Sequence, residues 1–304
     1  MPFTAAAFYR FHPLPHYREA QAPLLAALKA LGARGSVLLA EEGVNGTIAA
    51  APEQVEEAVA AIARLTGLPD LPVKYSPASE MPFKRMKVRL KKEIVTIGPV
   101  KANPNELVGE YVDPKDWNDL IADPDVIVLD TRNDYEFRVG TFRNAVDPGI
   151  DSFSQFPAWV ESHLHNAKGK KIATFCTGGI RCEKATSYMR FAGFEKVYHL
   201  KGGILKYLEE VPPEHSLWDG ACYVFDERVA VGHGLQQADF TTCHGCLDPV
   251  SSVDRQSPQY EEGVCCPRCA DTLTEEQKAS NRERQRQFVL AQKRGAKHLG
   301  PVEA

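Results

Sequence analysis

The chain has no long hydrophobic run. No stretch of its 304 residues approaches the ~20 consecutive apolar residues that a membrane-spanning helix needs. The opening residues 1–5 also lack a basic segment followed by an apolar core, which is the pattern of an export signal. We therefore expect a soluble, unexported protein that works in the cytoplasm and has no membrane partner.

Sequence fingerprints of the common redox cofactors are also missing. The chain holds no glycine-rich dinucleotide or flavin motif, no haem-attachment motif and no obvious iron site of two histidines and one carboxylate. Neither flavin nor nicotinamide is therefore expected as a cofactor. Since no redox cofactor is visible in the sequence, cysteine sulfur becomes the reactive group to consider.

Cysteine is present in quantity, with eight residues in the chain. Because a reducing cytosol keeps thiols free, cysteines in such a chain are better explained as catalytic or metal-binding groups than as disulfides. The length of the chain allows two or three domains, each with its own core. One cysteine stands on a short central loop, and four others form two closely spaced pairs near the end.

The loop that begins at Cys176 has the features of an active site. Residues 171–175 before it suit a short buried strand, and residues 182–194 after it have helical composition and spacing. Backbone N–H groups at a helix start carry partial positive charge, and Arg181 adds a full charge. Both favour thiolate over thiol, so we predict that Cys176 is a nucleophile. The loop consists of Cys176, Thr177, Gly178, Gly179, Ile180 and Arg181.

The length of this loop limits the reactions that it can catalyse. The spacing is C-x4-R, one residue shorter than the C-x5-R loop with which phosphatases surround a phosphate, so phosphoryl transfer is disfavoured. The alternative is a buried structural cysteine followed by glycines that only turn the chain. Cys182 either resolves an oxidised or persulfidated Cys176 or packs as a small apolar residue. We favour an active thiol at Cys176 and packing for Cys182.

Residues 116–217 have the pattern of an α/β domain with a parallel sheet. Residues 125–130 and the run ending at Cys176 are short and continuously apolar, as buried parallel strands are. Helical stretches at 153–165 and 204–210 are expected to pack on the sheet. Open sheets of this kind place their sites at the carboxyl ends of the strands, where Cys176 lies.

This central segment resembles the rhodanese family, whose loop cysteine carries a sulfane sulfur as a persulfide. The resemblance rests on the six-residue loop, on Asp130-Thr131-Arg132, Tyr135-Glu136-Phe137 and Gly140, and on the closing turn Leu200-Lys201-Gly202-Gly203. We expect Asp130 and Arg132 to cap and position the strand end and Glu136 to pair with a nearby arginine. Charged networks at strand ends are usually scaffolding, so these three residues are predicted to be structural.

The first hundred residues alternate between strand and helix patterns. Strands are expected at 3–11, 36–40, 47–51, 73–75 and 86–97, and helices at 16–31 and 52–65. Asn45-Gly46 is the expected hairpin turn, because this pair supplies the positive φ of tight turns. The order of elements is that of the split βαβ motif, so residues 1–100 are predicted to form a ferredoxin-like domain.

A net charge of −4 conceals two basic segments. Residues 84–92 and 278–298 each carry a net +6, which leaves −16 on the rest of the chain. In the first segment apolar residues alternate with cations, so a strand would present a row of positive charges on one face. Such a row suits RNA phosphates, whereas the alternative is a solvated strand and a disordered tail. The candidate RNA-binding residues are Lys84, Arg85, Lys87, Arg89 and Lys91.

Residues 218–304 contain two C-x2-C pairs separated by 19 residues, close to the spacing of a four-thiolate zinc site. We predict a structural zinc ion, because four thiolates leave no open coordination position. Cys265 or His244 could substitute as a ligand, and a metal-free scaffold is the other alternative. Residues 272–297 begin with a capping pattern at Thr274 and are expected to form a marginal helix or a mobile tail. The predicted ligands are Cys243, Cys246, Cys266 and Cys269.

Five stretches together point to a more specific family. They are residues 41–47, 81–88, 176–184, 218–220 and 243–269. Through them the chain resembles the rhodanese-like tRNA uridine hydroxylases, which make 5-hydroxyuridine at the wobble position. The resemblance implies hydroxylation of uracil C5 in tRNA with molecular oxygen as co-substrate and an essential cysteine, which corresponds to Cys176. It also implies the tRNA anticodon arm as the ligand of the two basic segments.

Two alternative functions stay open. A persulfide sulfurtransferase would move sulfur from Cys176 to a small acceptor or into a tRNA thiolation pathway. A non-catalytic RNA- or protein-binding module would need no reactive thiol, and the intact Cys176 and Arg181 argue against it. For hydroxylation, we hypothesise that Cys176, as thiolate or persulfide, adds to C6 of uracil and makes C5 electron-rich enough to attack oxygen. A sulfur or electron donor protein would then be a partner.

Overall fold

The computed structural model describes residues 2–68 and 70–294, and its first region is a five-stranded sheet covered by two helices. The strand order is β4-β1-β3-β2-β5; β5 runs parallel to β2, and the other neighbours are antiparallel. The predicted ferredoxin-like split βαβ fold is confirmed, with β5 as an added edge strand. The elements are β1 (Phe3–Phe11), α1 (Tyr17–Ala30), β2 (Arg34–Ala40), β3 (Gly43–Ala50), α2 (Pro52–Thr66), β4 (Val73–Ala78) and β5 (Met86–Leu90).

The two faces of this sheet have different partners. Leu24 and Leu28 lie four residues apart on α1, so they share one helix face, and they are fully buried against sheet residues that include Phe8. Because side chains alternate along a strand, Tyr9 and Phe11 point to the opposite face, where they pack near Ile180 of the second region. The sheet therefore separates a helix-covered core from a face that meets the rest of the molecule.

The predicted hairpin turn at Asn45-Gly46 was wrong. β2 and β3 are joined at Glu41-Glu42, and both Asn45 and Gly46 lie inside β3. Gly46 is opposite Phe8 in the register, and a Cβ on it would come 2.8 Å from the Phe8 ring. The glycine allows close packing within the sheet and is not required for a turn.

The strand expected at 86–97 is shorter than predicted. β5 ends at Leu90 because its partner β2 ends at Ala40. The last backbone hydrogen bond between the two segments runs from the Lys91 N–H to the Leu39 carbonyl at 2.8 Å. Beyond that point the Ile94 N–H donates to the Glu42 carboxylate at 2.7 Å. The Glu42 carboxylate thus accepts the hydrogen bond that a backbone carbonyl would accept in a longer strand.

The second region is built on a four-stranded parallel sheet of order β6-β10-β9-β7. Apolar clusters cover both of its faces, with Trp117 and Phe175 in one and Ile172 and Met189 in the other. The predicted rhodanese-like parallel α/β fold is confirmed. Its elements are β6 (Glu110–Val112), α3 (Pro114–Ala122), β7 (Val126–Asp130), α4 (Asp134–Phe137), β8 (Gly140–Phe142), α5 (Phe156–His163), β9 (Lys171–Phe175), α6 (Ile180–Phe191), β10 (Lys196–Leu200) and α7 (Gly203–Glu210).

Two helices of this region differ from the prediction at their ends. The helix expected at 153–165 is limited to α5, with a short 3-10 turn on each side of it. The helix after the cysteine loop begins at Ile180, two residues earlier than predicted, because Gly179 adopts a φ of 104° and starts the helix there. As a result, Arg181 and Cys182 both lie in the first turn of α6.

The third region consists of short strands, a cysteine-rich segment and a terminal helix. β11 pairs with β8 of the second region, while β12 with β13 and β14 with β15 form two hairpins. The predicted capping pattern is present, since Thr274 and Gln277 exchange hydrogen bonds of 2.9 and 3.2 Å between side chain and backbone. The elements are β11 (Trp218–Gly220), β12 (Cys222–Tyr223), β13 (Ala230–Val231), β14 (Phe240–Thr242), β15 (Pro249–Ser251) and α8 (Glu275–Lys293).

The terminal helix α8 has 19 residues, and eight of them are Arg, Lys or Glu in its sequence EEQKASNRERQRQFVLAQK. None of the helices within residues 2–68 and 70–294 is long and apolar enough to cross a membrane. Lys297, which contributes to the positive charge of the second basic segment, lies outside the described residues.

Buried charges join the three regions. Lys184 of α6 is 1% exposed and pairs with two carboxylates of the first region, Glu42 at 2.7 Å and Glu93 at 2.5 Å. Arg228 of the third region pairs with Asp226 and donates to the Ser76 hydroxyl of β4 at 2.7 Å. Breaking such a pair leaves an uncompensated buried charge, so these contacts fix how the first region sits on the other two.

Candidate active site

The cysteine loop lies at the carboxyl end of β9, where the sequence placed it. The Gly179 N–H donates to the Cys176 sulfur at 3.1 Å. The N–H groups of Ile204 and Leu205, at the start of α7, donate to the carbonyls of Cys176 and Thr177 at 2.9 and 3.0 Å. Backbone donors thus fix both the loop and its sulfur.

The turn before α7 needs glycine for a steric reason. Gly203 has a φ of 68°, and a Cβ on it would lie 2.5 Å from the Cys176 carbonyl oxygen. Any other side chain would push the two loops apart. The closing turn Gly202-Gly203 therefore packs directly against the backbone of the cysteine loop.

Arg181 is held at the base of the loop by a buried ion pair. Its two terminal nitrogens donate to both oxygens of Glu136 at 2.6 and 2.7 Å, and Thr177 donates to the same carboxylate at 3.2 Å. Burial alone would raise the pKa of Glu136, but the charge and hydrogen bonds of Arg181 outweigh it and lower that pKa. Glu136 is therefore an anion that orients Arg181.

Asp130 and Arg132 form a separate buried pair at the end of β7. Arg132 donates to both Asp130 oxygens, at 2.9 and 2.6 Å, and to the Gly140 carbonyl at 2.6 Å. These contacts connect the strand end to β8 and involve neither the loop backbone nor the Cys176 sulfur. These contacts agree with the structural role predicted for the pair, which stays a prediction.

The surroundings of Cys176 favour its thiolate. Burial of the sulfur raises its pKa, but hydrogen bonding from the Cys182 thiol and the positive charge of Arg181 act in the opposite direction. The backbone N–H groups of Cys182 and Gly179 add to this effect, and together they lower the pKa of Cys176 to about 6. The thiol is then mostly ionised at neutral pH.

Cys182 lies beneath the loop and is fully buried, with its sulfur 3.5 Å from the Thr131 hydroxyl. Burial raises the pKa of Cys182 well above that of a free thiol, and its hydrogen bond to Cys176 raises it further. Cys182 therefore stays protonated at neutral pH. Packing remains the favoured role of Cys182, and a resolving thiol remains the alternative.

Cys176 faces a cavity of about 380 Å³ whose walls come from all three regions. This volume is within the ~300–1,000 Å³ typical of small-ligand sites. One wall is the face of the first sheet that carries Tyr9, and the small side chains of Ala5 and Ala7 leave space there. The polar residues that line the cavity around the thiol include Tyr9, Lys74, Thr177, Arg181 and Arg228.

Tyr9 and Lys74 are site residues that no sequence motif indicated. Lys74 donates to the Gly178 carbonyl at 3.0 Å and lies 5.7 Å above the Tyr9 ring. Tyr9 donates to Glu183 of α6 at 2.7 Å. Burial lowers the pKa of Lys74, and the negative charge of Cys176 partly opposes this. The sequence predicted the strands that carry both residues, but only the docking of the sheet shows which face meets the loop.

The four cysteines predicted as metal ligands come together. Cys243, Cys246, Cys266 and Cys269 place their sulfurs within 4.8 Å of one another. The shortest separations, 3.7, 3.7 and 3.8 Å, agree with the edge of about 3.8 Å that four sulfurs at the usual ~2.3 Å from one zinc ion would form. The cluster could hold a metal such as zinc.

The two alternative ligands lie outside this cluster. The Cys265 sulfur lies 3.5 Å from the Gln259 carbonyl, and His244 is not among the grouped side chains. Burial lowers the pKa of His244, and the charges of Arg284 and Lys84 lower it further.

The candidate RNA-binding residues separate into two sets. Lys84, Arg85 and Lys87 line a groove of about 610 Å³ between the first and third regions. Arg89 lies on β5 and Lys91 directly follows that strand. Both side chains are exposed and lie outside the groove. The row of positively charged side chains that the alternating pattern predicted therefore extends beyond the groove.

Comparison with known proteins identifies the domains. A family model described as UPF0176 acylphosphatase like domain matches residues 3–94, and one described as rhodanese-like domain matches residues 113–210. A curated protein of Brucella anthropi named tRNA uridine(34) hydroxylase is 54% identical over 301 residues, which cover 99% of each chain. The chain belongs to the tRNA uridine(34) hydroxylase family. The protein of the same name from Sinorhizobium medicae is 56% identical over 98% of this chain and 95% of its own.

Among solved structures, the rhodanese-like domain of an Anabaena protein is 22% identical and aligns with a TM-score of 0.30. The alignment covers 36% of this chain and 78% of that domain. The family membership suggested by the sequence motifs is thus confirmed by the full-length relatives.

We predict that alkylation of Cys176 has its half-point near pH 6, because the thiolate is present above that pH and is lost as the pH falls through it. In Cys182→Ala the half-point should move to higher pH, since a hydrogen-bond donor to the thiolate is removed. Iodoacetamide labelling across pH 4–10, followed at the Cys176 peptide by mass spectrometry, measures both. Cys265→Ala is the matched control and should leave the profile unchanged. A half-point near pH 9 in the unaltered protein would contradict the assignment.

Proposed function

We propose that this chain hydroxylates C5 of the wobble uridine, position 34, of tRNA, as the names of its relatives indicate for them. The observation that carries the proposal is the thiolate-favouring loop of Cys176, which opens into a cavity large enough for a small ligand. The tRNA anticodon arm is then the macromolecular substrate, and the reaction belongs in the cytoplasm, where tRNA is modified.

The chemistry we propose for Cys176 is addition of its sulfur to C6 of the uracil ring. An S–C6 bond forms and the electron pair of the C5–C6 double bond moves toward C5 and O4. Lys74 and Arg181 are cations that line the cavity and can stabilise the resulting negative charge. The electron-rich C5 can then attack an oxidant, whereas an unactivated uracil is a poor nucleophile.

Molecular oxygen is the co-substrate in this proposal. One oxygen atom goes to C5 and the other leaves as water, so two electrons and two protons must come from a reductant. An electron donor is therefore a required partner. Loss of the C5 proton with cleavage of the S–C6 bond then restores the C5–C6 double bond and frees Cys176 as a thiolate.

A sulfurtransferase is the second candidate, and the specific observation that favours it is the rhodanese-like loop. The Gly179 N–H donates to the Cys176 sulfur at 3.1 Å. The same donor could stabilise the negative outer sulfur of a persulfide formed on Cys176. The donors of this loop thus serve either chemistry. The identity of the modified nucleoside separates the two candidates.

The experiment uses a bacterial host strain that lacks its own tRNA uridine(34) hydroxylase and is complemented with variants of this chain. Cys176→Ser should lower 5-hydroxyuridine and its derivatives at least 100-fold in tRNA, because a hydroxyl stays protonated where the thiol ionises. Cys265→Ser, the control, should restore them. Mass spectrometry of tRNA nucleosides is the measurement. Loss of thiolated uridine instead would favour sulfur transfer, and no change in any nucleoside would favour a binding module.

We also propose that residues 1–100, 116–217 and 218–304 are three structural units that work together. The first and third carry the two basic segments, and the second carries Cys176. This arrangement agrees with a large polyanionic substrate, since cations of different units can contact one RNA.

We propose that the four-cysteine cluster binds structural zinc. Zinc would supply no open coordination position there, so its contribution is to join the two C-x2-C turns to each other. Arg284 of α8 donates to the His244 carbonyl at 2.6 Å, and Asn281 donates to the Val264 carbonyl at 3.1 Å. A stable cluster would therefore also position the basic helix.

We expect about one zinc ion per chain in the unaltered protein and in Cys265→Ser, but near zero in Cys246→Ser. Three sulfurs and a hydroxyl bind zinc far more weakly than four thiolates. Elemental analysis of the purified proteins measures the metal, and thermal unfolding should show a lower Tm for Cys246→Ser. Equal metal loss in both serine variants would contradict the ligand assignment.

A further inference from the structure

We propose that Phe225 stacks on the target uracil of the bound RNA, and that the strand runs from the Cys176 cavity into the groove lined by Lys84, Arg85 and Lys87. The proposal rests on the tRNA substrate proposed above and adds a route for the RNA across the surface. Phe225 is in the third region, outside both matched domains.

Phe225 stands on the rim between the two concave sites. It lines the cavity of Cys176 and also the basic groove, and among residues 2–68 and 70–294 only Asp226 does the same. The side chain is 57% exposed, although burying a phenylalanine normally stabilises a protein. An exposed aromatic ring between a reactive thiol and a row of cations is where a ligand with flat rings and negative charges would be held.

The ring belongs to a row of aromatic side chains. Tyr135 and Tyr223 meet edge to face at 5.2 Å, and Tyr223 meets Phe225 in the same way at 5.2 Å. The guanidinium of Arg181 lies 5.8 Å from the centre of the Phe225 ring. Bases of single-stranded RNA stack on aromatic rings and on guanidinium planes, so this row offers the surface that an unstacked base requires.

The turn that carries Phe225 is held rigidly. Val224 and Val229 close it with a backbone hydrogen bond of 2.9 Å, and Asp226 pairs with Arg228 at 2.6 Å. Arg228 in turn donates to the Ser76 hydroxyl of the first region. Val229 has a φ of 65°, which is a strained conformation for a β-branched residue and persists only where the surroundings enforce it. The backbone that carries the ring is thus fixed before any ligand binds, which lowers the entropy cost of stacking.

The charges of the groove favour an anionic strand. The positive charge of Arg85 lowers the pKa of the neighbouring Lys87. Lys84 has one acidic neighbour, Glu227, at 3.8 Å, and that carboxylate is exposed. RNA phosphates would neutralise these cations, and the bases would meet the aromatic row. An acidic peptide would satisfy the cations but would leave the ring without a partner.

The stacking test uses an anticodon stem-loop that carries either uridine or an abasic nucleotide at the target position, with affinity measured by fluorescence anisotropy. Phe225→Ala should bind the uridine stem-loop about tenfold or more weakly, the usual effect of removing one stacking ring. Phe225→Trp should stay within about threefold of the unaltered protein, since it keeps a ring. Phe225→Leu separates stacking from apolar contact and should resemble Phe225→Ala.

Two controls accompany this measurement. Tyr75→Ala removes another exposed aromatic ring, on the opposite face of the first sheet from Lys74, and should leave affinity unchanged. With abasic RNA the difference between the unaltered protein and Phe225→Ala should disappear. Equal affinity of the two for the uridine stem-loop, or an equal loss with abasic RNA, would overturn the stacking role.

The route of the strand is tested by salt dependence. The double variant Arg85→Gln, Lys87→Gln should reduce the slope of log K against log salt by about 1.4, since each single-strand phosphate contact contributes roughly 0.7. The variant Arg89→Gln, Lys91→Gln removes the same charge from outside the groove and should change the slope by less than about half as much. Equal reductions, or displacement of the RNA by an acidic peptide at equal charge concentration, would overturn the proposed route.

These outcomes separate the inference from the proposed function. If the unaltered protein forms no 5-hydroxyuridine but Phe225→Ala still loses uridine-dependent affinity, hydroxylation fails and the stacking site stands. If 5-hydroxyuridine forms and Phe225→Ala binds like the unaltered protein, the stacking site fails and hydroxylation stands.

Discussion

The rest of the site depends on one buried charge, the guanidinium of Arg181. It is fixed by Glu136 at 2.6 and 2.7 Å, and its field helps to keep Cys176 ionised although burial opposes this. A buried cation without its carboxylate would cost several kcal/mol, so the pair must be kept intact for the fold as well as for the thiolate. Reactivity and stability therefore rely on the same interaction.

Placing a thiolate inside the protein also requires walls that exclude water, and the rhodanese-like region does not supply them alone. The first sheet contributes the face with Tyr9 and Lys74, and the third region contributes the turn with Phe225 and Arg228. Lys184 holds the first region in place by pairing with its carboxylates. The extra regions thus turn an exposed loop into an enclosed site and extend it toward a basic groove.

Local patterns predicted most of the longer helices and strands and placed Cys176 on a loop, but they did not predict the short strands β6, β8 and β11 to β15. The short apolar run before Cys176 predicted β9, and the cysteine spacing predicted a cluster that the structure assembles. Patterns failed where distant contacts decide the outcome. Asn45-Gly46 has the composition of a turn, yet Gly46 is needed because Phe8 packs against it. Lys74 was missed for the same reason, since its contact with Gly178 depends on how two regions dock.

The central claim is that Cys176 adds to C6 of the target uracil, and covalent trapping tests it most directly. A 5-fluorouridine at position 34 of an anticodon stem-loop blocks loss of the C5 substituent, so an S–C6 adduct should persist. Intact mass spectrometry is expected to show one RNA per chain, attached at Cys176 and absent from Cys176→Ser. No adduct, with Cys176→Ala fully active in forming 5-hydroxyuridine, would contradict the account.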